Sequence, residues 1–462
     1  MVLFMETLDS TIVNTAVPSM ARSLEVTPLS LKAIVTSYIL ALAVGIPVSG
    51  WLADRFGTRK IFMIAVAIFT LASVMCGLSS NAPMLVAARI LQGLGAAMMT
   101  PIGRLAIVRT FPRSELLSKM NFVIIPALIG PLLGPTVGGL IVHWWSWREI
   151  FFVNVPVGLA ALWMIRRHMP DYRSDAPRPL DVIGLTLFGS GAALLSWLLE
   201  VFGEHSLDAT SSTVLLLLSF ALLGAYALHA NRTEFPLLNL QLLKVRTFRV
   251  SVAGGLVTRL GIGGLPFLLP LFYQLGLGLP AWQSGLLMMP SALAAMTVKA
   301  LSPGLLRQFG YRRVLTMNTV LIGAAIGLFA LVDRATPIAL IVMLSFLIGS
   351  GNSLQFSSMN SLAFADIDDR NSSMANTIAS TMQQLSMSFG LAVGSLLAGW
   401  YLGSLPQTDQ VAVIRALHAV FITLGAATIV SSLSFWALRP GDGHALTARP
   451  DAHAATPAPA PD

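Results

Sequence analysis

Apolar stretches of about 20 residues recur along this chain, separated by short pieces rich in charge, glycine or proline. A run of that length crosses the roughly 30 Å hydrocarbon layer of a bilayer as an α-helix. The pattern predicts an all-α polytopic membrane protein with spans near 2–20, 33–53, 61–79, 84–107, 118–142 and 150–166. Two more fall near 181–202 and 211–230, and six follow near 250–275, 283–304, 313–332, 337–357, 376–402 and 412–438, fourteen in all. The chain therefore divides into a six-helix bundle over 1–166, a linker with two extra helices over 167–249 and a second six-helix bundle over 250–438. The tail, 439–462, is rich in Ala, Pro, Asp and His and reads as disordered. The first apolar run lacks a small-residue cleavage site and reads as a span rather than a removable signal.

Composition agrees, with 55% of 462 residues hydrophobic and only 11% charged. The net charge of +8 does not point to nucleic acid, because excess Lys and Arg in a membrane protein records topology. If the N-terminus is cytoplasmic, the inner loops hold Arg59 and Lys60, Arg109 and Lys119, Arg166 to Arg178, and Arg312 and Arg313. The outer loops hold only Arg22, Lys32, Arg148, Arg334 and Arg415. Both ends are thus expected inside, in the inner (cytoplasmic) membrane. Trp144, Trp145 and Trp147 fall at the outer interface, where aromatic belts belong. The single Cys76 allows no disulfide framework and no thiolate metal site. There is no phosphate-binding Gly/Lys loop, metal-ligand cluster or nucleophile constellation, so neither a cofactor nor an enzyme is expected.

Against this apolar background a few polar residues stand out. Asp9 lies in the first span beside Thr11, Asn14 and Thr15. A carboxylate there costs roughly 2.5–3.5 kcal/mol on insertion scales, so it faces a polar path or a partner and reads as a proton-handling group. Glu6, one turn away, either shares a proton with Asp9 or lies at the inner surface. Only eight residues precede Asp9, about 12 Å of helix, which suggests a natural start further upstream. In the fourth span, Arg89 and Gln92 stand among Gly93, Gly95 and alanines. Arg89 either snorkels to the nearby span end or governs the protonation of a carboxylate.

The loop from Gly50 to Lys60 carries Asp54, Arg55, Gly57 and Arg59 and recurs as Pro303 to Arg313, with Arg307 in place of Asp54. Gly57 allows a tight reversal, and Asp54 can pair with a base. The loop reads as a cytoplasmic gate. Further on, Gly130, Gly134 and Gly138 recur every four residues, with Gly139 beside them and Pro131 and Pro135 between. The glycines make a smooth stripe for close packing, and paired prolines bend the helix.

Together these motifs resemble the major facilitator superfamily, and within it the fourteen-helix drug:proton antiporters of the EmrB/QacA type. Trp147 to Pro156 and Phe235 to Leu240 extend the likeness, and Arg307 to Arg313 with Phe356 to Asn360 resemble its MdtD/HsrA branch. The resemblance implies two six-helix bundles related by an internal repeat and export of drugs or small amphiphilic metabolites against entering protons. It implies coupling at Asp9 and Arg89, a gate at Asp54 and Arg59, and an antiporter motif at Gly130. Partners would be a small-molecule substrate, protons and the lipid bilayer; accessory periplasmic or outer-membrane components are left unassigned.

One departure concerns cargo. Arg259 lies near mid-depth of its span, followed by Gly261, Gly263, Gly264 and Pro266, as in discontinuous helices that line substrate sites. With Lys299, Asn14 and Gln92 it makes the expected polar lining of the substrate cavity. Bases there suit organic anions, unless Arg259 only pairs with a helix end and Lys299 only snorkels. The alternatives are an uncoupled facilitator and, more remotely, a non-transporting membrane sensor.

Overall fold

The computed structural model describes residues 1–174, 179–202, 208–439 and 441–443. Arg178, the tail from 444 and the side chains of Arg113, Lys119 and Glu200 lie outside the described residues. The chain forms α1 (Val2–Ser23), α2 (Lys32–Phe56), α3 (Thr58–Gly77), α4 (Ala82–Thr110), α5 (Arg113–Trp144), α6 (Glu149–Phe152) and α7 (Asn154–His168). Then come α8 (Val182–Phe202), α9 (Ala209–Ala230), α10 (Arg246–Ile262), α11 (Leu265–Leu271), α12 (Ala281–Leu328), α13 (Ile338–Ala363), α14 (Ser372–Leu402) and α15 (Gln410–Ser431). Helix starts carry the residues that satisfy free N–H groups. Asn81 accepts from Met84 N–H, Asp208 from Ser211 N–H and Asp409 from Val411 and Ala412 N–H.

Among the described residues, twelve helical segments are long and apolar enough to cross a membrane, against the fourteen expected. The difference lies in two places. α1 is not among the twelve, because Glu6, Asp9 and Asn14 dilute its apolar content. The segment Ala281–Leu331 is double: Gly310, at φ 73° and ψ 158°, breaks it between Pro303 and Arg312. Gly57, at the matching place in the first half, also has positive φ, 98°. The repeat read in the loops is thus repeated in the backbone, and these glycines mark one end of the molecule, the Gly57 end.

Two expected spans are interrupted. The one near 150–166 is split at Val153 into α6 and α7, and the one near 250–275 turns at Gly263 and Gly264 and ends in a π-turn, Phe272–Gly276. At Gly263 an added Cβ would meet the Arg259 carbonyl at 2.8 Å and that of Met387 at 3.1 Å, so glycine lets α14 lie against the break.

An apolar core inside the first half joins α2, α3, α4 and α7 through Leu42, Phe69, Met99 and Ile165. A second core, around Leu315, Met359 and Phe435, lies within the second half. A third joins both halves, with Val13, Val17 and Ile34 meeting Leu265, Phe267 and Phe421. The inserted pair packs across the seam: Phe188 and Ala192 of α8 share a core with Ala43 of α2 and Leu385 of α14. Polar contacts between the halves lie away from the Gly57 end. Gln274 donates to Thr15 O at 3.0 Å, Thr136 to Gly285 O at 3.2 Å, and Leu29 N–H to Gln407 Oε1 at 3.2 Å. Trp144 and Trp145 are exposed at that far end, but Trp147, expected with them, is buried, with the Arg148 guanidinium 4.4 Å from its ring centre.

Candidate functional site

α1 brings Asp9 into the middle of the first half, where Arg89 of α4 and Asn154 of α7 converge on it. Asp9 Oδ2 accepts from Arg89 Nη1 at 2.6 Å. Its Oδ1 accepts from Gln92 Nε2 at 2.9 Å and from Asn154 Nδ2 at 2.7 Å. Both members of the ion pair are 0% exposed. Arg89 also donates from Nε to Ile34 O at 3.2 Å and from Nη1 to Gln92 Oε1 at 2.7 Å, and its guanidinium lies 4.0 Å from the Tyr38 ring centre. Asn154 is tied to Ser73 at 3.0 Å, which donates in turn to Phe151 O at 2.8 Å. The snorkelling alternative for Arg89 is thereby set aside. A buried pair is stable only when most of its other donors and acceptors are also met. Here Gln92, Asn154 and Ile34 meet the carboxylate oxygens and two of the guanidinium nitrogens, while Arg89 Nη2 is buried without a hydrogen-bond partner. The second half has a buried neutral network of its own, in which Asn318 donates to Gln355 Oε1 at 2.9 Å and Gln355 to Thr319 at 2.9 Å.

The other expected coupling and cavity residues separate. Glu6 does not join the Asp9 cluster; its Oε2 accepts from Thr100 Oγ1 at 2.7 Å and it is part-exposed. Gln92, expected to line the cavity, is fully buried and serves Asp9 instead. Asn14 is buried with its Oδ1 unpaired. Arg259 lines a narrow cleft with Ser251, Asn360 and Gln383. Lys299 is exposed on α12 and does not line that cleft.

At the Gly57 end, Asp54 is paired with Arg109 at 2.9 Å. Arg55 lies 5.9 Å from the ring centres of Trp51 and Phe56, while Arg59 and Lys60 are exposed. The loop is pinned by the segment after α7. Thr58 N–H donates to Tyr172 O at 3.0 Å, Arg59 N–H to Asp171 Oδ1 at 3.0 Å, and Ser174 N–H to Asp54 O at 3.0 Å. Asp171 and Tyr172 carry no sequence signal beyond following a span. Gly50 has open space around it and no steric need for glycine, matching the proline in the second copy of the loop.

The glycine stripe holds α5 against α1. A Cβ at Gly130 would collide with Thr7, one at Gly134 with Thr11, and one at Gly138 would lie 2.5 Å from Ile12 O. On its other side, Gly139 packs on Ala281 and Pro135 on Gly285, both of α12. The stripe therefore serves two contacts, one within a half and one between halves.

Residues 1–391 match the family model described as the Major Facilitator Superfamily. The MdtD protein of Pectobacterium atrosepticum, named as a multidrug resistance protein, is 41% identical over 424 residues, covering 91% of this chain and 89% of that one. Its namesake from Cronobacter sakazakii is 42% identical over 400 residues, covering 86% and 84%. Among solved structures, a D-xylose-proton symporter superposes with a TM-score of 0.65 at 16% identity, covering 96% of this chain and 97% of that one. With its buried polar cluster, paired halves and these likenesses, the chain belongs to the major facilitator superfamily of membrane transporters.

Proposed function

We propose that this transporter exports drugs or small amphiphilic metabolites in exchange for protons, by alternating access between two six-helix bundles. The reading takes 1–166 and 250–438 as the bundles, 167–249 as an inserted pair and the chain as crossing the inner membrane fourteen times. The Gly57 end, with its Arg and Lys, faces the cytoplasm. The observation that carries the reading is the sealed Asp9–Arg89 pair. The carboxylate accepts from a guanidinium and two amides, and a proton that binds it displaces a donor. Protonation thus favours a packing in which α4 and α7 release α1, and substrate favours the other state, each by its differential affinity. The named relatives are multidrug resistance proteins, which supports the cargo class.

The test is reconstitution into liposomes with an imposed pH gradient. Wild type is expected to accumulate substrate only while the gradient lasts, and Asp9→Asn to lose that dependence. Transport indifferent to an ionophore would favour the uncoupled facilitator and sink the coupling. The Arg259 cleft supports a second reading, in which acidic cargo is preferred.

A further inference from the structure

Glu6 and Arg259 are ionisable groups inside the first helix of each half, away from the end residues Arg22, Arg246 and Arg249, that the Asp9 cluster leaves unused. The interval between them in the chain equals that between Gly57 and Gly310, the paired turns of the internal repeat. They therefore stand at matching levels of α1 and α10. Neither forms an ion pair among the described residues. The hydrogen bond to the Glu6 carboxylate comes from the neutral Thr100, and the Arg104 charge that acts on it belongs to an exposed side chain further along α4. Among the described residues, the Arg259 guanidinium makes no ion pair and no hydrogen bond, although it lies part-buried in a cleft whose polar lining, Asn360, Gln383 and Ser251, is uncharged.

Both groups lie on part-exposed stretches of the two paired helices. On α1, Val13 and Val17 are sealed against the second half, while Ser10 and Glu6, nearer the Gly57 end, are part-exposed. Arg259 sits where α10 meets α13 and α14, just before the Gly263–Gly264 turn. An unmatched charge at this depth is unfavourable. A ligand with one charge relieves one wall and leaves the other, whereas a ligand with both relieves both.

We propose that Glu6 and Arg259 form a two-pole site for a dipolar amphiphile, one carrying an ammonium group and an acidic group on an apolar body. The ammonium meets Glu6 beside Thr100. The acidic group meets Arg259, with Asn360 and Gln383 as further donors. The inference rests on the transporter reading above and adds the charge pattern of the cargo.

Three fluorescent probes with a common body test it: Nε-dansyl-lysine, which is dipolar; dansylcadaverine, with the ammonium alone; and Nα-acetyl-Nε-dansyl-lysine, with the carboxylate alone. Binding to the purified full chain at neutral pH should favour the dipolar probe by about tenfold over each of the others. Glu6→Gln should weaken the dipolar probe about tenfold and leave the acetylated one unchanged. Arg259→Gln should weaken the dipolar probe as much and leave dansylcadaverine unchanged. The unaffected probe reports that each variant is folded. Wild-type binding with no preference for the dipolar probe, or equal dipolar binding by wild type and either variant, would overturn the site. Uptake into proteoliposomes separates the two readings. Preferential dipolar binding without gradient-driven uptake upholds the site and defeats the exporter. Gradient-driven uptake of dansylcadaverine with no dipolar preference defeats the site alone.

Discussion

Asp9 has no exposed surface, and both of its oxygens are occupied. Removing its charge leaves Arg89 buried and unpaired, which destabilises a protein by about 3–5 kcal/mol. Asp9→Asn should therefore lower the thermal midpoint in detergent more than the double variant Asp9→Asn/Arg89→Gln, which removes both charges. A double variant no more stable than the single one would mean that the pair is not the unit of stability. Asn154→Ala, which strips one donor from the carboxylate and the partner of Ser73, should cost about 1–3 kcal/mol in the same assay. Asp9 and Arg89 were legible in the sequence because a charge inside an apolar run has few explanations. Asn154 was quoted only within a family motif, and Ser73 not at all. Small neutral groups reveal their partners only once α3 and α7 are brought together.

Among elements, the helices could be read from the apolar runs, but not the connections that tie them. Gly50 and Gly57 look alike in the repeated loop, and the structure separates them. Gly57 has positive φ and lies against the Asp171 side chain, whereas Gly50 has open space. Gly57→Ala should destabilise by about 1–2 kcal/mol, from the penalty of a Cβ in that conformation, and Gly50→Ala should be neutral or slightly stabilising. Parallel thermal melts would check both. The second half has its own clasp. Asp442, just past the last helical turn, accepts from Arg246 Nη2 at 2.5 Å and from Arg439 N–H at 2.8 Å. Burial works against its charge, yet the hydrogen bonds from Arg246 and Arg439 outweigh it and hold the carboxyl below the ordinary Asp range. A depressed folded value gives stability that is present above about pH 4, the unfolded value, and lost as pH falls through the folded one. Hydrogen exchange of residues 439–443, corrected for intrinsic rates, should therefore rise below about pH 4. In Asp442→Asn it should be fast throughout. This clasp had no legible signal, because the tail read as disordered and its partner lies at the far end of a helix.

For the whole molecule, the seam decides what moves. The halves share an apolar core and three hydrogen bonds away from the Gly57 end. Cysteines in place of Leu29 and Gln407, cross-linked by a short reagent, should hold that end shut and stop transport, and reduction should restore it. The native thiol is buried and should not interfere. Undiminished transport by the cross-linked protein would show that this end need not open. The two-bundle plan was legible in the repeated loop, but the packing of α8 across both halves was not. An apolar helix carries no mark of which neighbour it will choose.

The closure around Asp9 also matters to a cell when there is no cargo. Three donors crowd its two oxygens, and the side chain has no exposed surface. Under the coupling proposed above, a carrier built this way does not act as a leak while idle. Under that reading the membrane's energy store stays intact until a substrate shifts the packing, so a cell could hold many copies ready without running down the gradient.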